Sequence, residues 1–227
     1  MATIYANYDG YVGRINQSNW ANARNSGVGT ASSATSTSHT QSVSAYSQAS
    51  RGGGTTTSIQ RSFFVFDTSG ISGTVDSATL KIMGANNTSG DLIVLKATSA
   101  ISSISNADFN SIDGWAYNTT DGSGGGDQSG NVTAYSSEVS TWNKYPSAYN
   151  EITLNAQAKS DMENNDDLYI ALVNYDYDLL DIDIGTGSAK NGLYFENYTG
   201  TSRDPYIDYE VATATVTHNA TFFGSNF

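Results

Sequence analysis

Arg61-Ser-Phe-Phe-Val-Phe-Asp67 and, beyond a turn, Ser77-Ala-Thr-Leu-Lys-Ile-Met83 are the two stretches whose reading decides the fold. The first places Phe63, Phe64, Val65 and Phe66 in consecutive positions. Such a run is too short for a helix and rich in strand formers, so it predicts a strand covered on both faces. Asp67-Thr-Ser-Gly-Ile-Ser-Gly73 ends it with two glycines and several hydroxyl side chains, the composition of a turn. In the second stretch Ala78, Leu80 and Ile82 alternate with Thr79 and Lys81, which describes a half-buried strand. Buried strand, turn and amphipathic strand read as the nucleus of an antiparallel sheet.

Further short strands follow on either side. Thr3–Ala6 and Tyr11–Ile15 flank Asp9-Gly10, a hairpin turn or a bulge. Val43, Ala45 and Tyr46 hint at a strand inside a Gly/Ser/Thr/Ala-rich stretch, and Arg51-Gly-Gly-Gly54 reads as a flexible connector. Leu92–Leu95, Val132–Tyr135, Glu151–Leu154, Leu168–Val173, Gly192–Phe195 and Pro205–Val211 complete the set. Asn155 can cap a helix over Ala156–Glu163, and Ser105-Asn-Ala-Asp108 has capping-box spacing for a single turn. The expectation is an all-β chain: an antiparallel β-sandwich, jelly-roll-like, with one short helix and long Gly/Ser/Thr-rich loops. Residues 1–211 form the sandwich. Residues 212–227 are a C-terminal extension in which Phe222, Phe223 and Phe227 suit a docking arm for assembly.

Composition excludes several functions. Ten Lys plus Arg against 22 Asp plus Glu leave a net charge of −12, which repels a phosphate backbone and argues against nucleic-acid binding. Without cysteine there is neither a disulfide nor a thiolate metal site. No run approaches the ~18 apolar residues of a membrane span. Met1-Ala-Thr-Ile-Tyr5 leads directly into polar sequence, without the charged and apolar regions of a signal peptide, which predicts synthesis in a cytoplasm. The glycines at 52–54 are not followed by Lys-Ser/Thr and a helix, so they are not a phosphate loop. His39 and His218 lie in hydroxyl-rich or terminal sequence without acidic neighbours, and no Gly-x-Ser-x-Gly elbow is present, so no catalytic residue is assigned.

Two sets of side chains carry candidate chemistry. Asp176, Asp178, Asp181 and Asp183 form the richest acidic run and could supply hard oxygens to Ca²⁺. The competing reading is a solvated, charged strand edge that blocks further pairing. Trp20, Trp115 and Trp142 lie in loop-like sequence, where exposed rings would stack on sugars and buried ones would plug the ends of a sandwich. Basic residues able to meet an acidic polysaccharide are few: Arg14, Arg24, Arg51, Arg61, Lys81 and Lys96.

The order of Asp9-Gly10, Ser62–Asp67, Val75–Lys81, Ile152–Leu154, the short helix, Leu168–Val173 and Asp204–Tyr209 resembles the DNRLRE-type β-sandwich family and the related carbohydrate-binding modules. The resemblance implies a sandwich fold and glycan contact. Ser105–Ile112, Thr133–Glu138 and Tyr175–Asp178 look like segments of β-rich virion proteins of tailed bacteriophages. That likeness implies a non-catalytic structural protein of the virion, a homo-oligomer partnered by other virion proteins. The alternative is a stand-alone carbohydrate-binding module.

Overall fold

The computed structural model describes residues 1–88, 90–98, 103–116, 125–200 and 202–213. Among them eleven antiparallel strands run in chain order. They are β1 (Ala2–Gln17), β2 (Ala31–Ser33), β3 (Ser38–Ala49), β4 (Thr55–Asp67), β5 (Val75–Ile82), β6 (Gly84–Thr88), β7 (Leu92–Lys96), β8 (Asn150–Thr153), β9 (Asp167–Asn174), β10 (Gly187–Tyr194) and β11 (Tyr206–Val211). The all-β, sandwich-like architecture expected from the sequence is present.

Strand β1 links the two halves. Its first residues pair with β11, which continues to β5 and β8; from Ala6 onward it pairs with β4. The change of partner falls at a bulge between Ala6 and Tyr8, and the strand runs on through Asp9-Gly10 without turning back. A bulge bends and twists a strand, which is how one strand can serve two sheets. Gly10 is required there for a separate reason: a Cβ would collide with the carbonyl oxygen of Ser33 on β2.

Strand β4 is the centre of the larger sheet, with β1 along one edge and β3 then β9 along the other. Phe64 and Phe66 face one core with Val75, Ala78, Leu80, Ile82, Ile152 and Ile207 of the opposing sheet. Phe63, Val65 and Ile59 face a second core, closed by Trp20, Phe109, Ile112 and Trp115. All four residues of the Phe-Phe-Val-Phe run are at most 4% exposed. A strand between two cores needs apolar residues at every position instead of every second one.

The pairing expected of the two opening stretches is not found. Strands β4 and β5 are not neighbours; the Asp67–Gly73 segment carries the chain across the core, and β5 pairs with β8 and β11 instead. The crossing segment is fixed by the Asp67 carboxylate, which accepts the Ser69 N–H at 3.0 Å and its hydroxyl at 2.6 Å. Facing strands in two sheets alternate as paired strands do, so periodicity cannot tell the cases apart.

Several local readings also change. Arg51–Gly54 is not a flexible connector but the tight turn of the β3–β4 hairpin, in which Gly53 and Gly54 adopt φ of +82° and +84°. Val132–Tyr135 is no strand; it touches β7 through a single bridge at Ala134–Leu95. The short helix is found as α2 (Ala156–Asn164), with the Asn155 side chain accepting the Ala158 N–H at 3.1 Å. The capping box at Ser105 opens a 3-10 turn over Asn106–Asn110. A second helix, α1 (Trp20–Arg24), was not expected. It is capped by Asn19 and held by burial of Trp20, Ala23 and Arg24, a tertiary effect that a five-residue segment cannot announce locally. Phe222, Phe223, Phe227 and His218 lie outside the described residues.

Candidate binding surface

The acidic run is not a strand edge. Tyr175–Leu179 forms a single π turn, capped by the Asn174 side chain, which accepts the Tyr177 N–H at 2.9 Å. The turn directs the four aspartates to different tasks. Asp178 is fully buried, and its two oxygens accept from Nε and Nη2 of Arg61, both at 2.7 Å. Asp181 accepts the Trp20 indole N–H at 2.8 Å and the Gly126 N–H. Asp183 accepts the Gly185 N–H at 2.8 Å. Asp176 lies within electrostatic reach of Asp91, and partial burial followed by repulsion from that carboxylate raises its pKa. The Ca²⁺ site expected at Asp176, Asp178, Asp181 and Asp183 is therefore corrected: Asp178, Asp181 and Asp183 already serve protein donors.

Arg61, Arg24 and Asp178 instead make a buried ionic hub beneath the second core. Arg61 Nη1 donates to the Phe109 carbonyl at 2.7 Å and to Asn110 Oδ1 at 2.6 Å. Its guanidinium lies between the rings of Phe109 and Trp115, 4.1 Å from each centroid. Arg24 Nε donates to the Asp178 carbonyl at 2.8 Å, and Nη2 to the Gly126 carbonyl at 3.0 Å. Both side chains are fully buried. They fasten the loops to β4, and neither can meet a polysaccharide.

The tryptophans are buried as well. Trp20 and Trp115 are 9% exposed and Trp142 5%, which removes them as a sugar-stacking platform. Trp142 fills the first core and donates its indole N–H to the Gly192 carbonyl at 3.3 Å. Each ring plugs a gap between loops and sheet, where its large apolar area is worth most.

A partly exposed aromatic surface is made of tyrosines, with Tyr145 exposed and Tyr194 and Tyr198 half-buried. Tyr145, Tyr194 and Tyr198 surround Arg203, whose guanidinium carbon is 3.8, 4.7 and 4.3 Å from the three ring centroids. Tyr194 ends β10, and Tyr198 follows in a turn closed by its own N–H to the Phe195 carbonyl at 3.0 Å. Tyr145 projects from the loop before β8, and its N–H donates to the Gly84 carbonyl at 2.7 Å. That loop is closed by Asn150, which accepts the Asn143 N–H at 2.7 Å and donates to the Asn143 carbonyl at 2.9 Å.

A second group adjoins the first. Tyr149 packs edge-on against Tyr206 at 5.0 Å, Tyr5 lies 5.6 Å from the same ring, and the Tyr149 hydroxyl donates to the Asp204 carbonyl at 3.3 Å. Lys81 beside them is shared between Glu151 at 3.0 Å and Asp208 at 3.3 Å. Arg203 differs from Lys81: among the described residues no carboxylate lies within ion-pair distance of it and none of its N–H groups is bonded. An arginine held in place by three rings, with its donors unspent, is organised to receive a planar anion such as a carboxylate.

A polar cleft of about 650 Å³ opens elsewhere, lined by Lys96, Asp113, Tyr135, Asp161, Asn165 and Tyr169. Asp161 accepts from the Tyr135 hydroxyl and from Lys96 Nζ at 2.9 Å. Burial would raise its pKa, but these donors and Gln157 outweigh burial and hold it below the ordinary carboxylate range. A depressed carboxyl stabilises the fold fully above its unfolded pKa of ~3.9, and the contribution disappears as pH falls through the folded value. Asp161→Asn should therefore cost about 1–2 kcal/mol at neutral pH and flatten the acid side of the stability profile. Urea midpoints from about pH 2 to pH 6 would measure this, and parallel profiles would refute it.

Arg203 and the tyrosines went unnoticed in the sequence because they are scattered over about 60 residues, in a strand end and the loops around it; the signal was 15 tyrosines, too many for the cores alone. His39 stacks on Tyr11 at 4.0 Å with its pKa lowered by burial, a packing role. No family model matches the chain, and a search of curated proteins returns no match.

Proposed function

We propose that this protein is a non-catalytic β-sandwich that works by docking, and that the surface of Tyr145, Tyr194, Tyr198 and Arg203 is where it docks. The single observation that carries the reading is the caged arginine with unspent donors. Tyrosine and arginine supply rigid contact area and bidentate hydrogen bonds, the combination enriched at the energetic centres of interfaces. The matching surface is acidic. A second copy of this chain, at net charge −12, offers such a surface, and so would neighbouring acidic virion proteins. A structural role in a tailed-phage particle is the setting that the segments' likeness to virion proteins favours.

Arg203→Ala is expected to weaken self-association or particle incorporation by roughly 30-fold or more, the effect of losing an interface hot spot. Arg203→Lys should not restore it, because an ammonium neither stacks as flatly nor bonds in two directions. Sedimentation equilibrium reads the first quantity and incorporation into purified particles the second. A wild-type monomer that incorporates no better than Arg203→Ala sinks the proposal.

The cleft around Asp161 favours a second reading, a carbohydrate-binding module. Its carboxylates, amide, ammonium and the Tyr169 hydroxyl, which donates to Asp167 at 3.1 Å, are groups that bond sugar hydroxyls. Glycan binding that is lost in Tyr169→Ala and kept in Arg203→Ala would select it.

A further inference from the structure

Behind the tyrosine surface lies an arrangement that the docking reading does not use. Asp9, on β1 just past the bulge, is 2% exposed and accepts the Glu196 N–H at 2.8 Å through Oδ2. Its other oxygen, Oδ1, is buried without a hydrogen-bond partner. Asp204 is 8% exposed, and its Oδ1 is buried and unpartnered in the same way. The two belong to one cluster: Asp9 is within electrostatic reach of both Asp204 and Glu196, and Asp204 of Glu196. Burial, followed by repulsion from Glu196 and Asp204, pushes the Asp9 carboxyl up to about 8, although the Glu196 N–H opposes this. No basic side chain pairs with Asp9 or Asp204 among the described residues.

A buried carboxylate oxygen without a donor is costly, and two in one acidic cluster are costlier still. A hard divalent cation removes both penalties together. We infer that Asp9 and Asp204 are ligands of a Ca²⁺-type cation, through the two orphaned oxygens, at the junction of β1, the turn at 195–198 and the segment 203–205. Among the described residues no three acidic or histidine side chains already form a ligand set, so the remaining positions of a six- to eight-coordinate ion fall to loop carbonyls and water. Glu196 adds charge nearby. The ion would tie together the strand and loops that carry Tyr198 and Arg203, where the Ala6 N–H already donates to the Pro205 carbonyl at 3.0 Å.

The test is a melting-temperature titration of EDTA-treated full-length protein with CaCl₂ and, separately, MgCl₂, together with Tb³⁺ luminescence excited through the nearby tyrosines. Ca²⁺ is expected to raise the melting temperature by roughly 5–10 °C at a hundredfold excess over Kd, and Mg²⁺ by much less. Asp9→Asn and Asp204→Asn should each abolish the shift and the Tb³⁺ signal. Asp176→Asn, in the separate acidic group with Asp91 and Glu138, should keep both. If the cluster is satisfied by a proton alone, wild type shows no shift with either ion, and the inference falls. It falls equally if the shift survives Asp9→Asn and disappears in Asp176→Asn. If the Asp9 variant does not fold, Asp204→Asn carries the test, and a shift or Tb³⁺ signal that survives in it overturns the inference.

Discussion

Asp178→Ala is expected to destabilise the protein by about 3–5 kcal/mol, and Arg61→Ala by a similar or smaller amount. The asymmetry follows from the geometry of the hub. Asp178 is the carboxylate shared by two fully buried guanidinium groups, with Arg61 Nε at 2.7 Å and Arg24 Nε at 3.8 Å. Its removal leaves two cations in a low-dielectric interior, with Asp181, 3.4 Å from Arg24, as the nearest remaining counter-charge. Removal of Arg61 leaves Asp178 still close to Arg24, but it also orphans the Phe109 carbonyl and empties the slot between the Phe109 and Trp115 rings. The cost comes chiefly from the charge left behind, because a buried pair gains little over apolar residues of the same volume. Arg61→Met combined with Asp178→Leu should therefore lose less than the two alanine variants summed, with Arg24 as the residual liability. Urea unfolding of the two singles and the double measures the coupling. Single-variant losses under about 1 kcal/mol would mean that water reaches the hub.

The second large effect tests the two-sided burial of β4. Phe64→Ala and Phe63→Ala should each cost about 3–5 kcal/mol, although their side chains point in opposite directions. Phe64 packs against Phe66 and Phe195 in the core between the sheets. Phe63 is buried among Trp20, Phe109 and Trp115 beneath the loops. In an ordinary sandwich strand one of the two would face solvent, and Phe63→Ser would be nearly neutral. Here Phe63→Ser should be the worst of the three, since it adds an unpaired hydroxyl to the cavity. Tolerance of Phe63→Ser in thermal or urea unfolding would mean that the loop layer opens readily and contributes little to the core.

These expectations separate what was legible from what was not. The Phe-Phe-Val-Phe run announced double coverage because it broke the alternation a half-buried strand requires, and the structure supplies both covers. The Asn155 cap and the Ser105 box were legible because capping is a local interaction between residues two or three apart. Whether β5 pairs with β4 or faces it was not legible, since both arrangements bury Ala78, Leu80 and Ile82 equally well. The aspartate run was misread because its spacing suits an exposed strand or a metal loop, whereas the π turn sends Asp178 inward to an arginine 117 positions earlier. The tryptophans showed the converse: a polar neighbourhood in sequence became a buried one in space.

From the sequence alone came the all-β class, the dominant strand, the short capped helix and the set of functions that charge and cysteine content disfavour. Each of these depends on periodicity, composition or contacts between near neighbours, which a linear chain displays directly. Tertiary structure alone decided that Arg24 and Arg61 are internal fasteners while Arg203 stands caged at the surface. It also decided that Asp9 and Asp204, nearly 200 residues apart, share one buried acidic cluster. The same residue types serve opposite roles because burial and partner are set by long-range pairing. Those pairings close loops whose ends carry no local mark of one another.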